Sequence, residues 1–170
     1  MIDRTLYRPR EIIQFCVQAL EHAHDSRTPV PLSPAAVREA EQPYSRERAR
    51  DIAAEYRFQY PGLLSVIEAF RGRSNVITRD DLELTCLELI TRETATRGTQ
   101  GWLDDCTPET LIEILWSTGF LRAEIPRTTT HPSMLFVGPH QGAAHSVTAA
   151  RRFQIHPMFW AYLGTKTAHQ

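Results

Sequence analysis

Four histidines toward the C-terminal end, His131, His140, His145 and His156, are the residues whose chemistry asks to be weighed first. Neutral imidazole is the commonest metal ligand in proteins, and strands joined by a turn can bring separated histidines together. No Asp, Glu or Cys stands among them at ligand spacing, so histidine alone does not spell a metal site. His156 precedes Pro157, which suits a cap or packing at a strand end. His22 and His24 are two apart, which on a helix turns them to different sides. Cys16, Cys86 and Cys106 are odd in number, lie among apolar residues and lack the paired spacing of zinc ligands. They are expected to be free thiols in a reducing compartment. A histidine-metal enzyme is kept as a further alternative, but no metal and no other cofactor is expected.

Nucleophilic catalysis would need an activated serine or cysteine, and the chain has no Gly-flanked serine elbow. The acids Asp80-Asp81 and Asp104-Asp105 are neighbours in sequence, so their side chains diverge instead of sharing a proton. Phosphoryl transfer calls for a Gly-rich loop followed by Lys and Ser or Thr. The single lysine is Lys166, and no such loop precedes it. No catalytic residue is therefore assigned, and the chain is read as a non-enzyme.

Lys and Arg together number 19 against 20 acids in 170 residues, a net charge of −1, and all but Lys166 are arginine. So balanced a chain has no broad electrostatic hold on nucleic acid, which comes from an excess of basic groups over many phosphates. Local contact is a separate matter. Arg122, Arg127, Arg151 and Arg152 fall on or beside predicted strands and could form a basic patch for DNA or a protein partner. No apolar run approaches the roughly 20 residues that span a bilayer, and the N-terminus lacks a basic-then-apolar leader. A soluble, cytoplasmic protein with no membrane partner is expected.

The elements that must position these residues are mostly helical. Pro9 and Glu11 suit a helix start, and Ile12, Cys16, Ala19, Leu20 and Ala23 repeat at helical spacing, which predicts a helix of about 15 residues. Ser33-Pro34 opens a short helix expected to stop near Pro43, and Ser45 is read as the N-cap of a new one carrying Ala49, Ile52, Ala53 and Tyr56 inward. After Tyr60-Pro61-Gly62, Leu63, Leu64, Val66, Ile67 and Phe70 form a helix that Gly72 closes. Thr78 and Asp81 resemble a capping pair for a helix through Leu82, Cys86, Leu89 and Ile90. Thr107-Pro108-Glu109 starts another, ending at Gly119. Phe120–Glu124, Ser133–Val137 and Arg151–Ile155 read as short strands, and Met158, Phe159, Tyr162 and Leu163 as a terminal helix. Trp116, Phe120, Phe153, Phe159, Trp160 and Tyr162 are read as core.

The fold class that follows is mainly α with a small β-hairpin. Residues 1–60 form a helical, lid-like subdomain. In residues 61–170 three helices precede the hairpin, with 138–150 expected at its tip, as in the winged-helix variant of the helix-turn-helix. Arg8-Pro9-Arg10-Glu11-Ile12-Ile13-Gln14-Phe15, Tyr44-Ser45, Glu55-Tyr56 with Tyr60-Pro61, Ser117-Thr118-Gly119-Phe120-Leu121 and Phe153 through Phe159 are similar to the C-terminal part of bacterial P-loop ATPases of the STAND/AAA+ type. In that family a nucleotide-binding domain precedes a helical lid and a winged helix. The resemblance implies that Arg10, in the Pro-Arg pair, faces the nucleotide's phosphates in an assembled ATPase. It implies a protein-interaction or regulatory module whose partner is a nucleotide-binding domain, in the parent chain or on another polypeptide. The alternative is a winged-helix DNA-binding regulator using the wing arginines. The helix at Thr107–Thr118 would then read DNA, yet it offers Glu109, Thr110 and Glu113, and its glutamates repel phosphate.

Overall fold

A computed structural model of the chain describes residues 9–25, 34–91, 101–125, 135–139 and 147–167. Helix α1 (Pro9–Asp25) and helix α2 (Pro34–Glu55) pack on each other through Phe15, whose ring meets Tyr44 edge-on at 4.8 Å between centroids. Both rings are buried, as are Ala19, Ala40, Ala49 and Ile52. Here the structure corrects the reading at Pro43. Instead of a stop there and a new start at Ser45, α2 runs unbroken through Pro43. Proline's fixed φ is compatible with a helix, and its missing N–H removes one bond without forcing an end. Ser45 is not a cap: it is buried, and its hydroxyl accepts the Tyr162 N–H at 3.1 Å.

Helix α3 (Leu63–Glu68) buries Leu63, Val66 and Ile67. Gly72 does not close α3 as expected, because the helix ends at Glu68 with Ala69 as its C-cap. Gly72, at a left-handed φ of 73°, turns the chain beyond it, and its N–H donates to the Leu163 carbonyl. Strand β1 (Val76–Thr78), which the sequence reading passed over, leads into helix α4 (Arg79–Thr91). Thr78 caps α4 as expected, accepting the Asp81 N–H at 3.2 Å while its hydroxyl donates to the Asp81 carboxylate at 2.6 Å. Helix α5 (Pro108–Ser117) starts on Thr107, which accepts the Thr110 N–H, and is left through Gly119 at φ 83°.

Strands β2 (Leu121–Ile125), β3 (Leu135–Val137) and β4 (Arg152–Ile155) join β1 in one antiparallel sheet of order β1-β4-β2-β3. This alters the expected hairpin, in which β3 would pair with β4 across 138–150. Instead β2 lies between them, with Ala123 opposite Phe153 on one side and Val137 on the other. The reason is visible in the register. Leu121, Ala123, Val137, Phe153, Ile155 and Ile77 fall on one face and are all buried, so a central β2 lets every strand present its apolar alternation inward. A 3₁₀ turn at Pro157–Phe159 and helix α6 (Trp160–Leu163) close the chain over that face. Phe70 meets Phe120 edge-on at 5.1 Å and Phe120 meets Phe159 at a tilt at 5.3 Å there, and one hydrophobic cluster extends from Phe15 to Leu163. The molecule is mainly α with a small antiparallel β part, and among the described residues no helix is long and apolar enough to cross a membrane.

Candidate interaction surface

Arg10 sits in the first turn of α1, and its side chain lies outside the described residues, as do Arg127, His131, His140 and His145 in full. Arg122, Arg151 and Arg152, expected on a wing, are near one another in the sheet but are placed in three different states. Arg122, on the face of β2 turned from the main core, is only 7% exposed and sits opposite Gln154. Arg152, on the same face of β4, forks onto Glu124 with bonds of 3.1 and 2.9 Å. That hydrogen-bonded carboxylate raises the Arg152 pKa further above its usual value. Arg151 is exposed, and its carbonyl accepts the Arg79 N–H at 2.9 Å. Of these three, only Arg151 presents an exposed residue to solvent.

His156 is buried, and its Nδ1 accepts the Met158 N–H at 3.2 Å, so it caps the 3₁₀ turn that follows. Among the described residues no group of three or more His, Cys, Asp or Glu is placed to hold a metal ion. The three cysteines are free. Burial pushes the Cys86 thiol up to about 12, so it is protonated and unreactive at neutral pH. Burial also raises Cys106, whose thiol donates to the Trp102 carbonyl at 3.1 Å.

Two arginines that the sequence reading did not single out organise the second half. Arg79 donates from Nε to the Ala150 carbonyl at 2.8 Å, donates to the Val147 carbonyl, and reaches Glu83 at 3.2 Å. Its guanidinium lies 5.3 Å from the centroid of Phe153. Arg79 thus fastens the Val147–Ala149 turn against α4 and β4. Arg71 donates to the Tyr162 carbonyl at 2.8 Å and lies 4.8 Å from the centre of that ring. The Tyr162 hydroxyl donates to Glu68, and burial, then this bond, raise its pKa. Their sequence signal was slight: an arginine beside a capping threonine and another beside a turn glycine.

Helix α5 carries no basic residue. Glu109, Thr110, Glu113 and Ser117 are exposed, while Leu111, Ile112, Ile114 and Leu115 are buried. The Glu109 carboxyl is held below its usual range, first by its own backbone N–H and then by Thr107. It is ionised at neutral pH, at the positive end of the helix. Such a surface repels a phosphate backbone and attracts cationic groups.

A family model described as the FunZ-associated C-terminal helical domain matches residues 1–53, the stretch that holds α1 and most of α2. No curated protein and no solved structure gives a significant match.

Proposed function

We propose that the chain is a non-catalytic protein-interaction module, built like the C-terminal lid and winged-helix portion of a STAND-type ATPase and acting on a nucleotide-binding domain. In this reading residues 1–60 are the lid-like subdomain and residues 61–170 the winged helix. The order helix, strand, helix, helix, strand, strand from α3 onward, with β4 between β1 and β2, supports the second part. The match of residues 1–53 to a C-terminal helical domain supports the first. The observation that carries the choice of protein over DNA is the exposed face of α5. Glu109 and Glu113 stand where a DNA reader places Arg, Asn or Gln. The engagement of Arg122 and Arg152 within the sheet points the same way. Arg10 at the start of α1 is assigned to the nucleotide-facing position of the assembled ATPase.

The test uses the purified chain in two assays and its complex in a third. Alone, it is expected to hydrolyse no ATP and to shift no duplex DNA at low salt. Hydrolysis that survives Arg10→Ala would sink the proposal. A shift with steep salt dependence, weakened by Arg151→Ala with Arg152→Ala, would move the assignment to DNA. Co-expressed with the P-loop polypeptide encoded beside it, or joined to the P-loop portion of its parent chain, it should co-purify, and Arg10→Ala should weaken nucleotide binding by the assembly.

A further inference from the structure

Charge on α4 and α5 is unevenly signed. Asp80, Asp81, Glu83, Glu88, Glu109 and Glu113 face a single basic residue, Arg79, which turns its guanidinium to backbone carbonyls and Glu83. Glu88 is matched by Arg73, from outside the two helices, at 3.2 Å. Asp80, Asp81, Glu109 and Glu113 are exposed. In a chain whose net charge is −1 this is segregation, not a share of a general excess. Helix α5 packs on α4.

Within this acidic surface Leu84 and Leu87 are 57% and 46% exposed. Asp80, Leu84, Leu87 and Thr91 follow at four-, three- and four-residue steps and are all exposed, so they form one line along α4. Leu82, Thr85, Cys86 and Leu89 form the opposite, buried line. Solvent alone would favour polar residues at positions 84 and 87. Apolar anchors beside exposed acids are the composition of a docking face, where the anchors supply contact and the charges select the partner.

We propose that the outer face of α4 docks a basic amphipathic helix of a partner protein. Its apolar side chains would rest on Leu84 and Leu87 and its Lys or Arg on the exposed Asp80 and Asp81. The proposal rests on the protein-interaction reading above and adds the chemistry of the partner. A second copy is a poorer fit, because the exposed apolar line of α1, Ile13, Val17 and Leu20, is accompanied by Gln14, Gln18 and Glu21 instead of arginine.

The probe is a labelled amphipathic helical peptide of leucine and lysine, titrated with the full chain and followed by fluorescence anisotropy. Saturable binding is expected, weakened about tenfold or more by Leu84→Ser with Leu87→Ser. Ile13→Ser with Val17→Ser should leave it unchanged, and the matching leucine and glutamate peptide should not bind. Circular dichroism of the Leu84/Leu87 variant should match the parent, since both side chains stand in solvent. Absence of binding, binding indifferent to the two leucines, or equal binding of the acidic peptide would overturn the proposal. So would a dimer in sedimentation that the leucine variant dissolves, which would give the face to a second copy. ATP hydrolysis by the chain would remove the non-catalytic reading while leaving this face standing, and loss of peptide binding alone would do the reverse.

Discussion

Arg79 does the work of several weaker contacts, and the reason is where its charge ends up. An ion pair near the surface such as Arg152 with Glu124, its side chains 39% and 17% exposed, contributes about 0–1 kcal/mol, because water competes for the partners. Arg79 instead donates to two backbone carbonyls of one turn and lies against Phe153, so its loss leaves those acceptors without their charged donor. Arg79→Met keeps most of the stem and removes the donors. It is expected to lower unfolding free energy by about 2–3 kcal/mol in urea titration, against less than about 1 kcal/mol for Arg152→Met. Equal losses would mean that the carbonyl bonds contribute no more than a surface pair.

Helix α2 shows how tertiary packing overrides a local stop signal. A proline inside a helix costs about 3 kcal/mol through a lost hydrogen bond and a clash with the preceding turn. Ala40, Tyr44, Ser45, Ala49 and Ile52 are all buried on one side of the same helix, and that burial holds it continuous across Pro43. Pro43 itself is exposed. Pro43→Ala should therefore restore an amide donor without removing a contact, and raise stability by about 1–3 kcal/mol in thermal and urea unfolding. A loss of stability would mean that the ring of Pro43 is needed to seat Tyr44. The same contrast explains what was legible in the sequence. Caps are local chemistry, so Pro9, Pro34, Thr78, Thr107 and Gly119 marked element ends where the structure has them, whereas α3 ends before Gly72. Ser45 also looks like a cap, but only the distant Tyr162 amide reveals its use. β1 is three residues long and exists through its pairing with β4, and the central place of β2 depends on three partners at once. Neither is written in a local period. At the candidate surface the glutamates of α5 were readable as unfit for phosphate. Burial of Arg122 and exposure of Leu84 and Leu87 depend on neighbours far along the chain.

At the scale of the molecule, the decisive contact is that of α2 with the C-terminal turn and α6. Tyr44 and Ile52 belong to the same apolar cluster as Phe159 and Leu163, and the Ser45 hydroxyl takes a buried amide of α6. Residues 1–60 and 61–170, sharing such an interface, should not melt as beads on a string. The probes are well distributed to decide this. Trp102, Trp116 and Trp160 all follow residue 60, whereas α1 and α2 supply the two longest helices. Far-UV circular dichroism weights the first part, and tryptophan fluorescence reports only the second. The two urea curves are expected to coincide. Ser45→Ala leaves the Tyr162 N–H without its acceptor and should move both curves together by about 1–2 kcal/mol. If the dichroism curve instead falls at lower urea and Ser45→Ala leaves fluorescence in place, α1 and α2 unfold on their own. The contact with α6 would then contribute little, and residues 1–60 would be free to separate from residues 61–170.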